Sequence, residues 1–352
     1  MSPHFPSNPL AADLDLVLSR LRGLWEELRG RRLFITGGTG FFGCWLLESF
    51  AWANARLGLG ARAVVLTRNA SAFCAKAPHL AADPAIRLVA GEVRDFDFPA
   101  GEFSHVIHAA TESGGESDPL ELFDTIVLGT RRVLAFAAQA RARRFLFTSS
   151  GAVYGPQPAD LARIPEDYVG GPDPASASSS YGGGKRAAEL LCALYHRQHG
   201  LQTVIARGFA FVGPHLALDK HFAIGNFIGD ALRGGPIRIQ GDGTPRRSYL
   251  YAADLAIWLW TILFRGQPCR PYNVGSDREI TIRQLAQKVR QALCPSAEIR
   301  IAAPAAAPAP PRRYVPATAR AASELGLGAA VPLLQAIQRT AAWYSGRANA
   351  AS

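Results

Sequence analysis

Through the first two hundred positions, short apolar runs rich in β-branched and aromatic residues alternate with longer stretches whose apolar positions recur every three or four residues. Arg32–Thr36, Ala63–Thr67, Ile86–Ala90, His105–Ala109 and Phe145–Ser149 are nearly continuous apolar runs, the pattern of strands buried on both faces. Helical periodicity fills Phe41–Arg56 and Pro119–Arg141, and returns in Tyr181–His199 ahead of a sixth run, Thr203–Arg207. Apolar strands joined by helices of this length predict right-handed βαβ units in one parallel sheet. Upstream, Leu14, Val17, Leu18, Leu21 and Leu24 fall at helical spacing, so Asp13–Leu28 is expected to form one amphipathic helix packed on the domain.

Past residue 208 the pattern loosens. Helical stretches at Phe222–Arg233, Ala253–Phe264 and Ile282–Leu293 are separated by short strands and Gly/Pro turns. Ala302–Pro311 is Ala/Pro-rich, and its prolines lack the N–H that a helix needs, so it reads as a surface loop leading to Arg312 and Arg313. The organisation expected is an N-terminal helix over 1–30, a sheet domain over 31–207 and a smaller α/β lobe over 208–346.

Composition narrows the class. The 352 residues are 48% hydrophobic and 19% charged, ordinary for a soluble globular chain. The five cysteines are scattered with no CxxC pair, so reduced thiols in a cytoplasmic protein are expected and no metal site. No apolar run reaches about 18 residues, and the N-terminus lacks the basic, apolar and cleavage regions of a signal peptide; no membrane span is expected. The net charge of +10 raises the question of nucleic acid. The arginines are dispersed, however, and no nucleic-acid motif is visible, so a polyanionic small ligand fits the charge better than a nucleic acid does.

The first site follows the first strand. Thr36–Gly43 reads TGGTGFFG, spacing its glycines as Gly37-x-x-Gly40-x-x-Gly43 between a strand and a helix. Gly37 permits a tight turn, Gly40 lets a pyrophosphate approach the backbone, and Gly43 lets the helix pack closely on the sheet. The helix N-terminus then offers free N–H groups to phosphate, with Thr39, Phe41 and Phe42 completing the loop. This is a dinucleotide cradle in a Rossmann-type doubly wound sheet. At the end of the second strand, where an NAD site places an acid for the ribose, the chain has Thr67 and Arg68. A guanidinium able to pair with a ribose phosphate favours NADP over NAD. Glu92 and Val93 are expected at the adenine, and the small Ala109 and Ala110 at the ribose.

The second site combines TSSGAVYG at Thr148–Gly155 with Tyr181-Gly-Gly-Gly-Lys185 at the start of a helix. One helical turn sets Tyr181 and Lys185 on one face. Hydride transfer at a carbon bearing oxygen requires a proton to move on that oxygen. A phenol can move it, a nearby ammonium is expected to lower the phenol's pKa, and Ser150 is placed to hydrogen-bond the same oxygen. Lys185 would also hold the nicotinamide ribose. The catalytic set is therefore Ser150, Tyr181 and Lys185.

With these motifs the sequence resembles the extended short-chain dehydrogenase/reductases, the NAD-dependent epimerase/dehydratase group, from about residue 31 to 340. GGPIRIQGDGTPRRSYLYAADLA at 234–256 is similar to that group's substrate-lobe signature, and YNVGS at 272–276 and RRYVPATARAASELG at 312–326 to two later segments. The resemblance implies a nucleotide-diphosphate sugar as substrate, with Arg247 and either Arg312 or Arg313 gripping the diphosphate. Thr111 and Asn226 are further substrate-side positions, and a homodimer through the helices at Pro119–Arg141 and Tyr181–His199 is implied.

Departures from the family pattern refine the reading. The 4,6-dehydratases of the group carry an Asp-Glu pair after the Ser/Thr position, and the decarboxylases keep a glutamate there; this chain has Gly151 and Ala152. Elimination without its acid and base loses roughly 100- to 10,000-fold. Ala210 replaces an asparagine that touches the diphosphate, and Ile126 stands where many members carry an asparagine behind the active site. What remains is hydride transfer at sugar carbon 4, leaning to an NADPH-dependent 4-ketoreductase, with a 4-epimerase as the alternative and a dehydratase behind it. A catalytically silent NADP-binding sensor is the reading from another class, and the intact Ser150, Tyr181 and Lys185 count against it.

Overall fold

The computed structural model describes residues 8–111, 118–220, 222–302 and 312–351, with side chains as far as 347. The Ala/Pro-rich stretch expected as a loop lies, from 303 on, outside the described residues.

Seven strands form one parallel sheet: β1 Arg32–Thr36, β2 Arg62–Thr67, β3 Ile86–Ala90, β4 His105–His108, β5 Arg144–Ser150, β6 Gln202–Gly208 and β7 Pro271–Val274. Their order is β7-β6-β5-β4-β1-β2-β3, so the chain's direction of growth reverses between β1 and β4. In such a sheet the crevice beyond the carboxyl ends at that reversal is where a ligand is held. Register places Thr36 beside Leu66 of β2 and His108 of β4, so the strand ends that carry the motifs are level. The expected strands and helices form within a residue or two. The Pro119–Gln139 helix stops short of Arg141, which takes a left-handed φ of 54°.

Two expectations change. The N-terminal amphipathic stretch is not one helix. It runs as a helix over Ala11–Arg20, turns at Leu21–Leu24 around Gly23, a poor helix former, and ends in a tighter 3₁₀ turn, Trp25–Leu28. Arg29 then donates to the carbonyls of Leu57 and Gly58 at the end of the Phe41–Leu57 helix, which fixes where the chain must arrive. Nor does residue 207 bound the sheet's core: the Ala252–Arg265 helix, buried from Ala252 to Phe264, packs on the sheet with the N-terminal helix, and β7 extends the sheet beyond β6. Asp13 ties these parts together, accepting from the Tyr251 hydroxyl at 2.6 Å and from Arg339.

The remaining C-terminal elements are small. Arg246–Arg247 pairs antiparallel with Ile280–Thr281 and parallel with Arg313–Tyr314, and Ile237–Ile239 pairs parallel with Ile299–Ile301. Among the described residues no helix is long and apolar enough to cross a membrane.

Candidate active site

The glycine loop is shaped by backbone. Gly37 has φ 70°, and a Cβ there would lie 2.4 Å from the Ala109 carbonyl, so the turn presses against the end of β4. A Cβ on Gly43 would lie 2.3 Å from the Gly37 oxygen and Gly38 Cα. The third glycine therefore packs the helix onto its own loop rather than onto the sheet; Gly38, where a Cβ would lie 2.5 Å from Val65 Cγ1, is the one that meets the sheet. Gly40, the N-cap of the Phe41–Leu57 helix, has only the Gly37 oxygen near its Cβ position, at 3.4 Å, and no side chain caps the helix. An open approach and uncapped N–H groups are what a pyrophosphate needs, so the loop fits a dinucleotide.

Beneath the loop runs a hydrogen-bond chain that the sequence did not announce. The Ala110 N–H donates to Thr36 Oγ1, which lies 2.6 Å from His108 Nδ1; His108 Nε2 lies 3.0 Å from Thr130 Oγ1, which donates to the Ile126 carbonyl. Only one pattern satisfies every group: a neutral His108 accepting at Nδ1 and donating at Nε2. Complete burial agrees, holding His108 down to about 3.

Two cavities meet along this crevice and share Gly37, Gly40, Ala109 and Thr111. The one of about 190 Å³ is lined by Thr39, Arg68, Glu92, Val93 and Ala110, the residues expected around the adenosine half. Arg68 is exposed at its rim, and Glu92 Oε2 accepts from the backbone and the guanidinium of Arg94. The other, about 230 Å³, holds Phe41, Phe42, Ser150, Tyr181 and Lys185 together with Phe209, Phe211 and Phe222. The expected catalytic set thus converges on the second cavity.

Its electrostatics differ from the simple expectation. Lys185 Nζ donates to Thr111 Oγ1 at 2.7 Å and to the Thr148 carbonyl at 2.8 Å, and sits 5.9 Å from the Tyr181 ring centroid. Burial pushes this ammonium down to about 7, with Glu189 pulling the other way. Burial likewise raises the Tyr181 phenol above its ordinary value, and a hydrogen bond with Ser150 offsets part of that rise. Lys185 does not lower Tyr181, because burial holds the lysine near 7 and leaves it uncharged at the pH where the phenol ionises.

Tyr314 belongs to the site although sequence reasoning did not single it out. Its hydroxyl lies 3.5 Å from Ser150 Oγ, its ring packs against Phe209 with centroids 4.6 Å apart and planes tilted by 36°, and burial raises its phenol strongly. A Cβ on Gly151 would meet both neighbours, at 2.7 Å from the Tyr314 hydroxyl and 2.7 Å from the Phe209 ring. Aromatic positions close to the arginines expected at the diphosphate were the available signal, but nothing local said which way they point.

Strand alternation sorts the arginines. Tyr314 pairs in register with Arg247 and Arg313 with Arg246. Arg247 lies over the Tyr314 ring, 5.6 Å from its centroid, and donates to the Arg246 carbonyl. Arg313 and Arg246 take the opposite face, where Glu279 pairs with both at 3.1 and 2.6 Å. Arg312, two positions before Tyr314, is exposed, and its carbonyl accepts from the Arg246 N–H. Asn226 is half-buried on the Ala223–Leu232 helix and lines neither cavity. Arg207 is structural: it forms a two-pronged pair with Glu189 and donates to Tyr154.

The model of the NAD dependent epimerase/dehydratase family matches residues 33–275. UDP-glucuronic acid decarboxylase 5 of Arabidopsis thaliana is 32% identical over 304 residues, 84% of each chain. UDP-glucuronic acid decarboxylase 1 of the same plant is 32% identical over 271 residues, 76% of this chain but only 60% of that protein's length. Among solved structures, DesIV, a dTDP-glucose 4,6-dehydratase from Streptomyces venezuelae with NAD and TYD bound, superposes with a TM-score of 0.76 at 26% identity, covering 90% of this chain and 98% of that one.

Proposed function

Because the chain belongs to the NAD dependent epimerase/dehydratase family, we propose that it is an enzyme transferring hydride at carbon 4 of a nucleotide-diphosphate sugar, as an NADPH-dependent 4-ketoreductase. One observation carries the choice within the family. Gly151 faces Phe209 and Tyr314 so closely that an acidic side chain there would displace both, and Ala152 follows it. The decarboxylase and dehydratase relatives resemble the chain in framework; the acids resembling members use for elimination or decarboxylation have no counterpart at 151–152.

The nicotinamide cofactor supplies and accepts the hydride when bound. Gly37, Gly40 and the uncapped start of the Phe41–Leu57 helix would hold its pyrophosphate, and Glu92, Val93, Ala109 and Ala110 its adenosine. Arg68, exposed at the end of β2 on the cavity's rim, would offer a guanidinium to the ribose phosphate of NADP. The chain's own groups act on the sugar. Arg247 and Arg312 anchor the diphosphate, Ser150 hydrogen-bonds the oxygen on carbon 4, and Tyr181 exchanges a proton with that oxygen. The raised pKa of Tyr181 keeps the phenol protonated, which suits delivery of a proton to a 4-keto group.

A 4-epimerase is the second reading. It would use a cofactor regenerated in each turnover, and NAD is the cofactor bound in the DesIV structure. A homodimer is part of the proposal: Leu120 and Phe123 on the Pro119–Gln139 helix and Leu190 and Leu194 on the Ser180–His199 helix remain exposed, an apolar face that a second copy would cover.

The test is to denature the purified protein, identify any released dinucleotide, and follow NADPH absorbance with a panel of nucleotide sugars and their 4-keto derivatives. Steady NADPH consumption with a 4-keto sugar is expected. Released NAD with sugar interconversion and no net absorbance change would establish the epimerase instead, and a 4-keto-6-deoxy or decarboxylated product would refute both.

A further inference from the structure

The Lys185 ammonium has two acceptors of very different kind. The Thr148 carbonyl is backbone at the end of β5, out of reach of substitution; the Thr111 hydroxyl is a side chain. Thr111 is oriented for the task, because its own proton goes to the Ala110 carbonyl at 2.6 Å and leaves its lone pairs to the lysine. Among the described residues, Thr111 is the one side-chain hydroxyl that accepts from Lys185. The Pro119–Gln139 helix presents Ile126, packed on Gly184; β5 presents the Phe147 ring at 4.8 Å; β4 presents the neutral His108. On the lysine's own helix are Tyr181, Glu189 and Cys192.

We propose that Thr111 is a positioning residue for Lys185: its hydroxyl fixes the ammonium at the junction of the two cavities and keeps it charged. The proposal rests on reading Lys185 as the catalytic ammonium, and it gives Thr111 a different task from the sugar contact expected of it. The physical stake is the charge itself. Burial brings Lys185 down to about 7 against the pull of Glu189, so a hydrogen-bond acceptor that favours the protonated form adds to the charged fraction where it is most sensitive, near neutral pH.

Lysine occurs only at positions 76, 185, 220 and 288, so ¹³Cε-lysine NMR gives a spectrum in which Lys185 is assigned by its loss in K185M. In Thr111→Val the Lys185 titration midpoint should fall below that of the native protein, and Thr111→Ser should restore it. In turnover, Thr111→Val should lower kcat about tenfold or more and move the alkaline limb of its pH profile to lower pH, leaving KM for the nucleotide sugar within about twofold. Equal midpoints in the native protein and Thr111→Val would overturn the proposal. So would a raised KM at unchanged kcat, which would make Thr111 a sugar ligand after all. Should the valine variant fail to fold, Thr111→Ala carries the same comparison. The titration needs no substrate, so a failure to find any turned-over sugar would refute the function proposed above and leave this test standing.

Discussion

The glycine loop after β1 and the three short strands at Arg246–Arg247, Ile280–Thr281 and Arg313–Tyr314 are the two regions proposed to hold anionic groups, and they are built in opposite ways. The loop works with backbone: Gly37 and Gly43 are there because any side chain would collide, at 2.4 and 2.3 Å, with neighbouring main chain. The strands work with side chains brought from distant segments, and alternation alone decides that Arg247 shares a face with Tyr314 while Arg313 is turned to Glu279. A backbone-built site is specified by local sequence. A side-chain-built one is specified by register, which is settled only when strands far apart in the chain pair.

This contrast can be broken or sharpened by experiment. Tyr181→Phe removes the proposed proton donor and should reduce kcat at least about 100-fold, with dinucleotide affinity unchanged; turnover kinetics and fluorescence titration read the two separately. Arg247→Met should raise KM for the nucleotide sugar roughly 10- to 100-fold, as expected when a charge-assisted contact to phosphate is lost. Within the loop, Gly43→Ala should lower stability by about 1–3 kcal/mol in a thermal melt through overpacking, whereas Gly40→Ala, with room for a Cβ, should leave the melt nearly unchanged and weaken dinucleotide binding.

Acid should attack the sheet beneath the loop. His108 and His105 are held down to about 3 and about 4, chiefly by burial. The unfolded chain takes up protons on both as pH falls through about 6.5, while the folded chain does not. Stability is therefore complete above about pH 6.5 and declines toward pH 4, by up to about 1.4 kcal/mol per pH unit for each histidine. Chemical denaturation between pH 4 and 7 checks this, and a flat profile would contradict the buried neutral His108. The smallest effect is expected from Arg313→Met, less than about twofold in KM, because its partner is Glu279. A large effect there would return Arg313 to the diphosphate.

The same contrast explains what could be read in advance. The sheet, the glycine loop and the shared face of Tyr181 and Lys185 were legible because each depends on short-range pattern: apolar runs, glycine spacing, one helical turn between the two side chains. Tyr314 escaped because its place beside Ser150 depends on a two-residue strand formed 164 positions away. The single N-terminal helix was misread because amphipathic spacing persists through the turn at Gly23. The expected lowering of Tyr181 by Lys185 failed because helical spacing sets which side chains share a face, not how deeply they are buried, and burial strips the lysine of its charge before the phenol ionises.

The central claim is that hydride is transferred to carbon 4 with no elimination at the sugar. Incubation with 4-deuterated NADPH and a nucleotide-linked 4-keto sugar, followed by mass spectrometry of the product, tests it most directly. One deuterium on carbon 4 and stoichiometric NADP are expected. A product that has lost water from carbon 6 or carbon dioxide from a uronic acid, with no deuterium gained from the cofactor, would contradict the account.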